Sequence, residues 1–146
     1  MQIFQAVCGA ELSPVSCESC KECNESEIVL AVISLVGDVE CSLFLGLPQA
    51  TAVEAARRFA GFEVPFDSED MGDAIGELTN IFAGQVKALL DKREVRADIS
   101  LPSVVRAKGM KVLVQKGTSN TKCCYECGMG RLWTGVLAGP GAGMMA

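Results

Sequence analysis

The stretch DMGDAIGELTNIFAGQVKALLD, residues 70–91, decides how this chain folds, because it carries a sustained helical pattern. Its large apolar residues recur at the three- and four-residue steps of one helix side, which predicts a single buried stripe. That stripe consists of Ile75, Leu78, Phe82, Val86 and Leu89. Polar or small residues recur on the opposite side, which the apolar pattern leaves free. These residues are Asp73, Glu77, Asn80 and Gly84.

The sequence around this helix predicts a sheet. Two apolar runs, 27–36 and 39–47, flank the turn signal Gly37-Asp38 and predict a β-hairpin. A shorter helix is predicted over 49–59. Further strands are predicted at 95–101, 104–107, 110–115 and 132–137, with a turn at 117–120. Short turns between strands favour antiparallel pairing, so we expect the α/β class, with helices packed on an antiparallel-rich β-sheet.

Length and composition favour a single folded domain. The chain has 146 residues, of which 49% are hydrophobic, enough for one core. We expect a cysteine-rich N-terminal segment at 1–27, the folded domain at 28–138 and a flexible glycine-rich tail at 139–146.

Charge and motifs exclude several classes of function. The net charge is −5, and the sequence has no dense Lys/Arg run, which argues against nucleic-acid binding. No apolar run is long enough for a membrane span, and no secretory signal is recognisable, so we expect a cytoplasmic protein. The chain has no histidine, which excludes Ser-His-Asp and Cys-His catalysis, and it has no phosphate-cradling P-loop motif.

Residues 74–84, AIGELTNIFAG, and residues 101–105, LPSVV, resemble the helix and the next strand of the CheC/CheX/FliY family. The active members of that family are chemotaxis phosphatases that act on the phosphorylated response regulator CheY. Their signature is an Asp or Ser, a Glu, an Asn and a downstream Pro, which here are Asp73, Glu77, Asn80 and Pro102. The other helix offers Glu54 followed by Arg57, so a single site is expected, which is similar to CheX.

The resemblance implies a CheX-like fold and a protein aspartyl-phosphate phosphatase of chemotaxis or two-component signalling. Glu77 would pair with a lysine of the receiver, and Asn80 would orient the attacking water. Asp73 and Gly84 would contact the partner, a phosphorylated CheY-like response regulator. The resemblance also implies a homodimer and Mg²⁺ on the receiver, with no cofactor required by this chain itself.

A different interpretation of the same residues is a non-catalytic interaction domain. Glu and Asn are ordinary on a solvated helix face, and one fold can carry many functions. Pro102 also has a structural explanation, because it fixes the chain that enters the next strand.

The eight cysteines suggest a second kind of site. They include two clusters with C-x2-C spacing, which is typical of thiolate ligands for zinc or iron. The clusters are Cys17, Cys20 and Cys23, and Cys123, Cys124 and Cys127. Free thiols in a reducing cytoplasm and disulfides are the alternatives. A metal bound there would stabilise the fold or sense redox state, since none of these cysteines belongs to the family signature.

Overall fold

A computed structural model of the chain describes residues 11–15, 27–108 and 119–138. Its elements are β1 Ser13–Val15, β2 Glu27–Gly37, β3 Glu40–Pro48, α1 Gln49–Ala60, α2 Glu69–Lys92, β4 Ala97–Ile99, β5 Ser103–Lys108, β6 Ser119–Cys127 and β7 Gly130–Ala138. The strand predicted at 110–115, the first cysteine cluster and the glycine-rich tail lie outside the described residues. The segment boundaries at 27/28 and 138/139 therefore stay predictions.

The seven strands form one sheet in the order β1-β6-β7-β3-β2-β4, and β5 also pairs with β2. Every pairing between these described strands is antiparallel. The predicted hairpin is confirmed, because β2 and β3 pair from Ile28↔Pro48 to Val36↔Glu40. The predicted fold class, helices packed on an antiparallel sheet, is confirmed as well.

β4 and β5 behave as one edge strand that a β-bulge interrupts. β4 pairs with β2 up to Ile99, and β5 resumes the pairing four residues later. The three residues between them, 100–102, lie opposite two residues of β2, and we call these three residues the bulge. The N–H of Ser100 donates to the carbonyl of Ser34, and the N–H of Ser34 donates to the Ser100 hydroxyl, both at 2.9 Å. Pro102 fits here because a bulge at a sheet edge requires no ladder donor from it.

The two helices lie within one residue of the predicted bounds, 49–59 and 70–91. α1 ends at Gly61, whose φ of 85° is left-handed and whose N–H donates to the carbonyl of Arg57 at 2.8 Å. α2 begins after Ser68 and carries two acidic residues in its first turn, where the helix dipole favours them. Neither helix of the described ranges has the length and apolar character that crossing a bilayer requires.

Both helices cover the same face of the sheet. Alternate residues of β2 point toward that face and pack against small residues of α1 and large apolar residues of α2. Ile75 and Leu78 are fully buried, but Leu89 is 61% exposed, so its predicted place in the buried stripe is wrong. At 100° per residue, Leu89 points from the helix axis in nearly the same direction as buried Leu78, so its exposure reflects how the last turns of α2 lie relative to the sheet. Leu90 packs there instead.

The opposite face of the sheet carries a smaller core. It consists of Leu30, Phe44, Cys124 and Trp133. The indole ring of Trp133 is 8% exposed and lies over Gly46, where a Cβ would overlap the ring. The Lys122 ammonium lies 4.7 Å from the centroid of the same ring, within the range of a cation–π interaction. Trp133 is therefore a structural residue.

Two strand predictions need correction. Ser119 and Asn120, which the sequence assigned to a turn, begin β6. That strand was missed because its sequence, SNTKCCYEC, lacks a clear alternation of apolar and polar residues. The strand predicted at 95–101 is shorter, from Ala97 to Ile99, because the bulge ends the regular pairing.

Candidate active site

One side of α2 forms an exposed surface, which we call the polar face: Asp73, Glu77, Asn80 and Gly84. Asp73, Glu77 and Gly84 are exposed, and Asn80 is partly exposed. Steps of four, three and four residues place them along one line of the helix surface. The helix therefore brings together the four residues that the sequence singled out. Their action on a partner stays a prediction.

The opposite side of α2 holds this surface in place. Ile75 and Leu78 are fully buried against the sheet. Thr79, the residue before Asn80, is also fully buried, and its hydroxyl donates to the carbonyl of Ile75 at 2.7 Å. That bond satisfies the buried hydroxyl within the helix. The backbone beneath Asn80 is thus fixed by packing, which is the condition for a preorganised site.

The functional groups of the polar face are not used by the fold. Within the described residues, neither Glu77 nor Asn80 has a side-chain hydrogen-bond or ion-pair partner. By contrast, Lys87, further along α2, lies 3.8 Å from Asp98 of β4. The carboxylate of Glu77 and the amide of Asn80 therefore remain available to another molecule.

Pro102 lies beside this surface without joining it. A methyl group placed on Gly76 would lie 3.7 Å from Cγ of Pro102 and 3.7 Å from Cγ2 of Val104. The bulge therefore contacts α2 at Gly76, the residue before Glu77, where the lack of a side chain lets Pro102 lie close to the helix. This contact fits the structural explanation for Pro102, which packs beside the helix as the chain enters β5.

α1 does not carry a second free site. Arg58 Nε lies 2.8 Å from the Glu54 carboxylate, and Arg57 forms a second ion pair with the same group. Hydrogen bonds from Arg57 and then Arg58 lower the pKa of Glu54 to about 2. Because the chain itself neutralises this carboxylate, Glu54 does not offer the free charge that Glu77 offers.

The second cysteine cluster does not form a loop with converging thiols. Cys123, Cys124 and Cys127 lie on β6, which is paired with β7. Cys124 is buried in the core of one sheet face, whereas Cys127 packs against the core of the other. The Cys127 thiol also donates to the carbonyl of Gly130 at 3.3 Å.

These placements do not fit one metal ion bound by all three thiols. The described parts of the chain contain no group of three or more His, Cys, Asp or Glu that could hold one. Cys17, Cys20 and Cys23 lie outside those parts, so their role stays a prediction. Burial raises the pKa of the Cys41 thiol, which favours its neutral form.

The chemistry available to the polar face is positioning rather than covalent attack. The Asn80 amide can donate and accept at the same time, so it can hold and direct a water molecule. It adds no negative charge beside an anionic reacting group. Glu77 lies one helical turn away and can pair with a cation on another surface. Together they suit a reaction in which the partner supplies the reacting group.

Sequence reasoning missed one exposed feature next to this site. Leu101, in the bulge, is 88% exposed, the highest value among the large apolar residues of the described ranges. The sequence placed Leu101 at the end of a strand over 95–101. The signal that could have located the bulge is Pro102, because proline within a strand-like run points to an edge or a bulge.

Comparison with known proteins gives a family match. The sequence profile of the family described as chemotaxis phosphatase CheX matches residues 29–126, which contain the whole polar face and the bulge. No match was found among curated protein sequences.

Several solved structures share the fold. The chemotaxis protein CheX from Vibrio vulnificus superposes with a TM-score of 0.80 at 21% identity, covering 94% of this chain and 89% of that one. The CheX from Desulfovibrio desulfuricans gives 0.74 at 20% identity, covering 93% and 91%. CheX from Borrelia burgdorferi, solved in complex with CheY, BeF3 and Mg²⁺, gives 0.67 at 19% identity, covering 94% and 90%. These structures show the same fold, and the profile match over residues 29–126, about two thirds of the chain, shows that the chain belongs to the CheX family of chemotaxis phosphatases.

Proposed function

We propose that this chain, as a member of a family of CheY phosphatases, hydrolyses the aspartyl phosphate of a CheY-like response regulator. In this proposal Asn80 positions the attacking water and Glu77 binds the receiver. This proposal rests on Glu77 and Asn80, two polar side chains one turn apart on α2 that have no side-chain partner within the described residues. The opposite side of α2 is buried against the sheet. Asp73, Glu77, Asn80 and Pro102 also follow the order of the family signature.

Asn80 acts on the attacking water. The water oxygen forms a bond to phosphorus while the bond between phosphorus and the receiver's aspartate oxygen breaks, giving inorganic phosphate and free aspartate. An in-line attack of this kind depends mainly on positioning and on charge stabilisation. The Asn80 amide directs the water, and Mg²⁺ held by the receiver would supply positive charge to balance the phosphoryl group. No cofactor on this chain takes part in the proposed step.

Glu77 docks the receiver. Its carboxylate is exposed and has no partner in the described chain, so pairing with a cation does not require breaking an internal contact. The family resemblance indicates the lysine of the receiver as that cation. An ion pair one turn from Asn80 would set the distance between the amide and the phosphoryl group.

The Borrelia burgdorferi relative supports this choice of partner, because its structure was determined as a complex with CheY. We further propose, from the resemblance, that the chain works as a homodimer. The cytoplasm is the proposed location because response regulators signal there. A light-scattering mass of twice 15.4 kDa would support the dimer.

The direct test uses a phosphorylated receiver from the same organism in buffer with Mg²⁺. Phosphate loss is followed with and without this protein, and binding is measured in parallel. We expect the protein to accelerate phosphate loss catalytically, at amounts well below those of the receiver. Binding without acceleration would contradict the phosphatase assignment and favour the non-catalytic interaction domain.

Glu77→Gln is expected to raise KM for the phosphorylated receiver by about tenfold or more, since a hydrogen bond to a charged group contributes about 1.5–3 kcal/mol. The effect on kcat should be smaller, because the Asn80 amide remains. Initial rates over a range of receiver concentrations separate the two constants.

Asp91→Asn is the matched control for Glu77→Gln. Asp91 is also an exposed acid of α2, about 21 Å further along the helix at 1.5 Å per residue. We expect this control to leave KM within about twofold. Equal increases in KM for both variants would mean that Glu77 acts only through the overall charge of the protein.

Gly84→Ala tests whether the receiver approaches the polar face closely at Gly84, where the helix has no side chain. Both Gly84 and Gly72 lie within α2, and neither would bring a Cβ within 4 Å of other atoms. Alanine should therefore stabilise the fold by roughly 0.5–1 kcal/mol at either position, measured by denaturant unfolding. Only Gly84→Ala is expected to raise KM, by about fivefold, because its methyl group would meet the receiver. Equal KM values for the two variants would contradict a partner contact at Gly84.

A further inference from the structure

We infer that the bulge is a second contact for the receiver, with the Leu101 side chain as its apolar anchor, an inference that rests on the proposed function. The polar face supplies an ion pair and an amide, but both groups keep water around them in the free protein. An exposed leucine next to them would add an apolar contact to this interface.

The bulge holds Leu101 outward. Ser100 exchanges two hydrogen bonds with Ser34 of β2, both at 2.9 Å, and its hydroxyl also donates to the Leu101 carbonyl at 3.1 Å. Proline fixes the following φ angle. Hydrogen bonds to β2 therefore hold the residue before Leu101, and the proline ring restricts the backbone of the residue after it. Leu101 is nevertheless 88% exposed, so the fold does not use its side chain.

The bulge lies next to the polar face. Pro102 packs beside Gly76, with 3.7 Å between its Cγ and a methyl group placed on that glycine. Leu101 is bonded to Pro102, so its Cα lies about 3.8 Å from that of the proline. Glu77 follows Gly76 directly. The bulge therefore packs against the same turn of α2 that carries Glu77.

A second apolar side chain flanks the polar face from the other direction. Ile81 follows Asn80 and is 37% exposed. At 100° per residue, Ile81 lies on the side of the polar face that is turned away from Gly76 and the bulge. In the proposed interface, the polar pair would thus have the bulge with Leu101 on one side and Ile81 on the other. Contacts that surround the centre of an interface exclude water from the groups inside it.

The proposed occupant is the receiver, which would present an apolar patch next to the cation that pairs with Glu77. A second copy of this chain is the alternative occupant, because the bulge lies on an edge strand. The two occupants predict different results for the molar mass of a Leu101 variant.

The test measures binding to a receiver loaded with Mg²⁺ and beryllofluoride, a stable mimic of the phosphoryl group. Leu101→Ala and Leu101→Asp are expected to raise Kd by about tenfold or more, as loss of a buried leucine contact requires. In turnover assays, KM should rise with kcat within about twofold. Leu89→Ala is the matched control, because Leu89 is 61% exposed on α2 away from the polar face.

A Kd for Leu101→Asp within twofold of wild type would overturn the inference. A changed molar mass for either Leu101 variant would overturn it too, since Leu101 would then lie between two copies of this chain. If the wild-type protein binds the receiver without accelerating phosphate loss, the proposed catalysis fails, while the Kd values still decide the role of Leu101. If it binds no receiver, both fail.

Discussion

Asn80→Ala is expected to lower the accelerated rate of phosphate loss by about 10²- to 10³-fold, the usual effect of removing one hydrogen-bonding group aimed at a transition state. KM should change much less, because Glu77 and the bulge still dock the receiver. Stability should change by no more than about 0.5 kcal/mol, since Asn80 is partly exposed and has no side-chain partner in the described chain. Single-turnover rates and denaturant unfolding check the two expectations.

Gln85→Ala provides the control for Asn80→Ala. It removes an amide from the same helix, five residues further on and off the polar face. Its rate should stay within about twofold of wild type. Asn80→Asp adds a second test, because a carboxylate of nearly the same shape places negative charge beside the phosphoryl group. Near wild-type turnover in Asn80→Ala would show that another group directs the water.

Gly46→Ala is expected to destabilise the fold by about 3 kcal/mol, the upper part of the usual range for an overpacked core. A Cβ at this position would overlap Cε2 and Nε1 of Trp133 and would lie 2.6 Å from Cζ2 of the same ring. The indole cannot easily move, because it is 8% exposed within the smaller core. Denaturant unfolding followed by circular dichroism gives the loss of stability.

A double variant identifies the cause of that loss. Trp133→Leu removes the ring, so adding Gly46→Ala to it should cost far less than adding it to the wild type. The coupling between the two substitutions should reach about 2–3 kcal/mol. Additive losses would show that Gly46→Ala acts through the strand backbone rather than through the indole.

The local patterns of the sequence predicted the parts of the fold that depend on neighbouring residues. The apolar repeat of α2 and the two apolar runs beside Gly37-Asp38 each reflect interactions between residues that are at most about twenty positions apart in the sequence. The helix bounds and the β2–β3 hairpin were therefore correct. The exposed side of α2, with Glu77 and Asn80, followed from the same repeat.

The features that the sequence did not predict depend on contacts between distant segments. The bulge arises from the register between β2 and the edge strand, about seventy residues apart, and no local pattern contains that register. β6 is a strand because β1 and β7 pair with it, although its own residues are mostly polar. The exposure of Leu89 reflects how α2 crosses the sheet. The C-x2-C spacing suggested a metal-binding loop. In the structure these cysteines lie on a strand, where neighbouring thiols point to opposite faces, and spacing alone does not distinguish a loop from a strand.

β2 is hydrogen-bonded to a neighbour on each side along most of its length, to β3 on one side and to β4 and β5 on the other. Opening it requires breaking both ladders, so its amides should exchange with solvent only in rare, large openings. α2 packs directly on this strand. The helix that carries Glu77 and Asn80 thus rests on a strand that we expect to open slowly. We therefore expect a receiver to meet a surface whose backbone is already ordered, so that association does not have to wait for the site to form.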